Sequence, residues 1–277
     1  MLTRLREGTP DAAHDGRADT SSAGTLGATL RIEGVGHSFG QLRAIERLDL
    51  EAEPGEVIGI VGPSGCGKTT LLELVAGLRP ADSGTISVGH RAEPEERLAR
   101  CAYMPQRDLL LPWLSAVDNA ALALRIAGVA RQAARARAAG HFERLGLAGF
   151  EGTRPDELSG GMRQRVAFLR TLMAGRPVLL LDEPFASLDA ITRGEMQQWL
   201  AGVLSADRHT VLLVTHDVEE ALYLSDRVLV LSSRPARVAQ RIEVSSPRAT
   251  DRAAAVTSPE FTELRERALR SLAEAAR

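Results

Sequence analysis

The sequence predicts an α/β fold with a mainly parallel sheet, and three observations predict it. Short apolar runs, Val57-Ile-Gly-Ile-Val61, Val178-Leu-Leu-Leu-Asp182 and Thr210-Val-Leu-Leu-Val-Thr215, read as strands buried on both faces. Segments of helical spacing, Thr69–Val75, Gly161–Ala174 and Ala190–Leu204, alternate with them, the pattern of parallel strands joined by crossover helices. Between the first such strand and the first helix lies Gly62-Pro-Ser-Gly-Cys-Gly-Lys68-Thr69, which fits the phosphate-binding spacing G-x-x-x-x-G-K-[ST] in the strand-to-helix setting that spacing requires.

Taken in order, Met1 to Ala28 is rich in Ala, Gly, Thr, Ser and Asp and is expected to be a disordered extension. Leu30–Phe39 and Ala44–Glu51 alternate imperfectly up to a turn at Pro54-Gly55 and read as antiparallel strands at the edge of a sheet. Gly84–Val88 and Cys101–Met104 are short strands around a charged loop. A helical insertion, about 107–160, begins with the Ala- and Leu-rich Ala116–Gly128 and continues through Ala130–Leu145, whose arginines read as a solvated face. Ser258-Pro259-Glu260 opens a last helix with Phe261, Leu264, Ala268 and Leu272 along one face, suited to this chain's core or to a partner. The domain organisation expected is therefore an extension over 1–28, one nucleotide-binding domain over 29–245, and a linker with an amphipathic helix over 246–277. There is no internal repeat.

A chain of 277 residues buries a full core. With a formal net charge of −2 and a pI near 6.3 it lacks the basic character of a nucleic-acid binder, so no nucleic-acid partner is expected. Its two cysteines, Cys66 and Cys101, read as reduced thiols of a cytoplasmic protein. The apolar runs fall far short of the roughly 20 residues a membrane-spanning helix needs, and the N-terminus has no signal-peptide h-region.

Chemistry-bearing residues follow the same order. Backbone N–H groups of Gly62, Pro63, Ser64, Gly65, Cys66, Gly67, Lys68, Thr69 and Thr70, proline excepted, suit the wrapping of a polyphosphate; Lys68 would reach the β and γ oxygens and Thr69 would hold Mg2+. At the end of a buried strand Asp182 would orient the metal's water shell and Glu183 would act as general base. His216, after another buried strand, would sense the γ phosphate, and Gln106 would hold water and magnesium without adding charge. Each has a plainer reading taken alone: a tight turn, surface carboxylates, a structural histidine. Their order makes nucleoside-triphosphate hydrolysis the expected reaction.

With Leu158-Ser-Gly-Gly-Met-Arg-Gln-Arg165 added, the set over about Leu30 to Val244 resembles the nucleotide-binding subunit of ATP-binding cassette (ABC) transporters. That resemblance implies a P-loop NTPase core with an antiparallel β edge subdomain and a helical insertion, ATP and Mg2+ as cofactors, and a head-to-tail homodimer in which Ser159, Gly160 and Gly161 face ATP held by the second copy. It also implies that Phe39 stacks on adenine, that Ser187-Leu-Asp189 communicates between the two sites, and that the insertion docks on a transmembrane permease. Gln106-Arg-Asp-Leu-Leu-Leu-Pro-Trp113 and Ser225-Asp-Arg-Val-Leu-Val-Leu-Ser-Ser-Arg-Pro235 look like importer ATPases of the nitrate, sulfonate, taurine and thiamine-pyrimidine group, and Phe168-Leu-Arg-Thr-Leu172 leans to the pyrimidine-precursor branch. A peripheral position at the cytoplasmic face of the membrane and a solute-binding protein acting indirectly follow. Trp113 is read either as a contact to the membrane subunit or as ordinary packing. The alternative function is a soluble ABC-type clamp on DNA or ribosomes, against which the absence of coiled coil and duplication argues; no Asn-Lys-x-Asp run supports a GTPase.

Overall fold

A computed structural model describes residues 27–276. Its strands are β1 (Leu30–Phe39), β2 (Leu42–Ala52), β3 (Val57–Val61), β4 (Ser83–Val88), β5 (Cys101–Met104), β6 (Val178–Asp182), β7 (Thr210–Val214), β8 (Arg227–Leu231) and β9 (Val238–Glu243). Its helices are α1 (Lys68–Ala76), α2 (Pro94–Leu98), α3 (Ala116–Ala120), α4 (Leu122–Ile126), α5 (Arg131–Ala139), α6 (Gly160–Leu172), α7 (Ala190–Asp207), α8 (Val218–Leu224), α9 (Arg252–Thr257) and α10 (Pro259–Ala275).

The main sheet has the order β5-β6-β7-β3-β8-β9, parallel except for β9. Strands β3, β6 and β7 are buried at every residue, as their unbroken apolar runs require. Because side chains alternate across a strand, each run feeds two cores. Val57, Val61, Leu179, Leu181, Val211 and Leu213 pack with α6, α7 and α8 on one face. Ile58, Ile60, Leu180, Leu212 and Val214 pack with α1 and the strands β1, β2 and β4 on the other.

Two expectations change. The sequence puts the first two strands at the edge of a sheet; they form instead a separate three-stranded antiparallel sheet, β2-β1-β4, lying over α1. The polar extension expected over 1–28 falls outside the described residues up to 26, and its last two residues are docked: Gly27 N–H donates to the Arg208 carbonyl at 3.1 Å, and Ala28 is buried with its carbonyl accepting from Thr210 Oγ1 at 2.8 Å. The helical insertion opens over Ala116–Gly128 with two short helices, α3 and α4, which meet at Ala121. Strands β8 and β9 and helices α2, α8 and α9, to which the sequence reading assigned no element, complete the fold.

The last helix is capped by Ser258, whose Oγ accepts from Phe261 N–H, with Pro259 at its first turn. Phe261 and Ala268 are buried, and Leu264 and Leu272 pack beside them in the same core, so the apolar face seen in the sequence meets this chain. Both cysteines are free and buried; burial pushes the Cys66 thiol up and that of Cys101 to about 12. No helix among the described residues is long and apolar enough to cross a membrane.

Candidate nucleotide site

Ligands of open parallel sheets bind beyond the carboxyl ends of the strands, and here four adjacent strands deliver the predicted residues to that edge. The loop 62–67 leaves β3, Thr215-His216 leaves β7, Asp182-Glu183 ends β6, and Gln106 follows β5. Ser64, Gly65, Gly67, Lys68, Thr69, Thr70, Gln106, Glu183 and His216 line one cavity of about 470 Å³.

The loop is closed by its own lysine: Lys68, almost fully buried, donates from Nζ to the carbonyls of Gly62 at 2.9 Å and Pro63 at 3.1 Å. Gly67 has φ of 116° at the N-cap of α1, a left-handed conformation that glycine adopts without the Cβ penalty, so the helix start stays clear for an anion. Cys66 turns inward against Gly62 and serves the loop as a small apolar plug.

Thr69 Oγ1 donates to Asp182 Oδ2 at 2.8 Å across the intervening β7. Burial pushes the Asp182 carboxyl up, against the Thr69 hydrogen bond and the charge of Lys68, so this is a carboxylate short of cationic partners. Thr69, Asp182 and the side-chain oxygen of Gln106 are the hard oxygen donors Mg2+ takes, and the residues fit that ion. No group of three His, Cys, Asp or Glu among the described residues could hold a metal, so the dication's remaining ligands would be phosphate oxygens and water.

Glu183 sits at the centre of the shelf. Its Oε2 accepts from Gln106 Nε2 at 3.1 Å and lies 3.3 Å from His216 Nδ1. Its backbone has φ of 50°, a conformation costing a non-glycine residue about 1–2 kcal/mol, and is held there by donation to the Val214 carbonyl at 2.8 Å. The turn carrying Gln106 is pinned as well: Arg170 donates to the carbonyls of Asp108 and Leu109, and Arg163 pairs with Asp108 at 3.0 Å.

Other predicted residues stand apart. Phe39 does not line the phosphate cavity; the residue is 44% exposed at the end of β1. Ser159 caps α6, its Oγ accepting from Met162 N–H, and with Gly160 and Gly161 it lies outside the cavity. Asp189 caps α7 through Ile191 and Thr192, and the Thr192 hydrogen bonds hold its carboxyl below the usual range. Trp113 is 68% exposed and belongs to neither hydrophobic core of the described residues.

A family model described as "ABC transporter" matches residues 45–186. The formylaminopyrimidine import ATP-binding protein ThiZ of Halalkalibacterium halodurans is 47% identical over 191 residues, covering 69% of this chain and 74% of the relative. The taurine import ATP-binding protein TauB of Rhizobium johnstonii is 41% identical over 229 residues, 81% of this chain and 87% of its own length. This chain belongs to the ABC transporter ATP-binding family. It binds ATP and is an ATPase. The nitrate import ATP-binding protein NrtD of Synechococcus elongatus is 41% identical over 247 residues, 87% of this chain and 90% of the relative. Among solved structures, the dimeric ABC transporter cassette MJ0796, and the same cassette in a post-hydrolysis state with ADP and Pi, superpose with a TM-score of 0.71 at 26% identity, covering 78% of this chain and 99% of theirs.

Proposed function

We propose that this ATPase powers import of a small solute through a separate permease, working as a homodimer at the cytoplasmic face of the membrane, with a solute-binding protein acting indirectly. The observation that carries the reading is the contact of Gln106 and His216 on the Glu183 carboxylate inside the cavity of the phosphate loop. Relatives named as import subunits for formylaminopyrimidine, taurine and nitrate support import and disfavour a clamp on nucleic acid or ribosomes.

In this reading the loop N–H groups and Lys68 grip the phosphates, while Thr69, Asp182 and Gln106 hold Mg2+, which when bound neutralises phosphate charge. Glu183 orients the attacking water and takes its proton, with Gln106 and His216 fixing its carboxylate. Ser159, Gly160 and Gly161 of the second copy bring a helix N-terminus to the γ phosphate, as the dimeric form of the structural relative supports. Groups aimed at developing phosphoryl charge are worth roughly 10³–10⁵ in rate, so supplying them only on closure ties hydrolysis to assembly. Exposed Trp113 and the insertion are assigned to the permease contact.

The solute is of the formylaminopyrimidine, taurine, sulfonate or nitrate class. The test is uptake of labelled hydroxymethylpyrimidine, taurine, an alkanesulfonate and nitrate by source cells carrying Glu183→Gln. Loss of one identifies the solute; unchanged uptake of all four overturns the import reading for this class.

A further inference from the structure

Phe39 is not alone at the end of β1. The Arg79 guanidinium lies over its ring, 4.9 Å from the centroid, and the His37 ring meets it at right angles with centroids 4.9 Å apart. Arg79 is itself anchored, donating from Nε to Glu73 Oε2 at 2.9 Å. Glu73 belongs to α1, the helix that starts in the phosphate loop. Past Ala76 the chain reverses at Gly77, with φ of 79° and a neighbouring Pro94 carbonyl that would lie 2.3 Å from any Cβ, and this reversal returns Arg79 alongside Glu73. The strand end is pinned from the other side by Asp82, which accepts from Ser38 N–H at 2.7 Å and lies 3.4 Å from His37 Nδ1.

We propose that Arg79, held by Glu73, is a positioning residue for the nucleobase, bracing the Phe39 ring on one face so that the other face receives the base. This rests on the reading of Phe39 as the base-stacking residue. Phe39 stays 44% exposed as a residue although Arg79 and His37 contact its ring, which leaves area for a flat ligand. A cation behind an aromatic ring withdraws electron density from its free face and favours stacking by an electron-rich purine. Since the brace stands on α1, the helix that meets the phosphates also fixes the height of the base above them.

The experiment compares the full chain with Arg79→Ala, Arg79→Lys, Glu73→Gln and Phe39→Ala, measuring affinity for magnesium ATP and for magnesium tripolyphosphate, which has no base. Arg79→Ala is expected to weaken ATP about three- to tenfold and leave tripolyphosphate unchanged, with Arg79→Lys in between because an ammonium lacks the planar fork. Glu73→Gln, which keeps the arginine and loosens its anchor, is expected to move in the same direction and covers the case of Arg79→Ala failing to fold. The proposal is overturned if Arg79→Ala binds ATP as the parent does or more tightly, or loses tripolyphosphate by the same factor. If Phe39→Ala leaves the ratio of the two affinities unchanged, the stacking role of Phe39 itself falls.

Discussion

The phosphate loop and the start of α6 are both helix N-termini that the sequence marks with glycines, and the chain treats them oppositely. At the loop, Lys68 is buried and bonded to two carbonyls of its own turn, Thr69 is bonded to Asp182, and the walls come from three further strands of one sheet. At α6, Ser159 caps the helix, but Ser159 and Gly160 are exposed and none of the three residues reaches the phosphate cavity of the same chain. One terminus has its surroundings built in; the other is capped as a helix and stands outside the phosphate cavity. The difference teaches that a single chain assembles the cavity around the first terminus and not around the second, which on the proposed reading is completed by another copy.

The largest test removes the carboxylate from the finished half. Glu183→Gln is expected to bind ATP with near-parent affinity and to release phosphate about 10²–10⁴-fold more slowly, the range for loss of a general base; parent-like turnover would remove Glu183 from the mechanism. The next separates the halves. Lys68→Ala and Ser159→Arg should each be inactive alone, whereas mixing them in equal amounts should return roughly a quarter of the parent rate, because about half the dimers are mixed and each has one intact site of two in a head-to-tail arrangement. No recovery on mixing would mean that each chain completes its own site.

The smallest concerns a buried carboxyl in α8, the helix that follows His216 in the chain. Glu220, in α8, is almost fully buried, accepts from Gln197 Nε2 at 3.0 Å, and keeps its other oxygen without a hydrogen-bond partner. Burial pushes its carboxyl up to about 7. The folded chain then binds this proton more tightly than the unfolded chain, so stability falls as pH rises from about 4.5 towards 7, by up to ~3 kcal/mol. Glu220→Gln should flatten that slope in chemical-denaturation curves taken across this pH range. A slope equal to the parent's would show that Glu220 does not carry it.

Much of this was legible because phosphate chemistry fixes spacing. Gly62 to Thr69, Asp182-Glu183 and His216 each follow an apolar run, and an apolar run too short for a helix declares a buried strand whose end is a ligand-facing edge. The pairing partners were less legible. Nothing in Leu30–Phe39 shows that it joins β4 rather than the main sheet, since alternation reports which face is buried and not which strand lies alongside. Helices α8 and α9, of seven and six residues, are too short for a periodicity to stand out. Arg79 carried no signal, because an arginine after a helix-ending glycine belongs to no motif and its partner ring is 40 positions away.

The strand order has a consequence for synthesis. β3 lies between β7 and β8, so the strand feeding the phosphate loop has no neighbour in its sheet until residues 210–214 exist and lacks its second until 227–231, and Thr69 meets Asp182 only once β7 separates β3 from β6. Contacts this distant along the chain are among the last to form. A growing polypeptide therefore exposes its nucleotide loop early and gains the grip late, and ATP rewards only a chain whose sheet is already assembled rather than guiding its first folding steps.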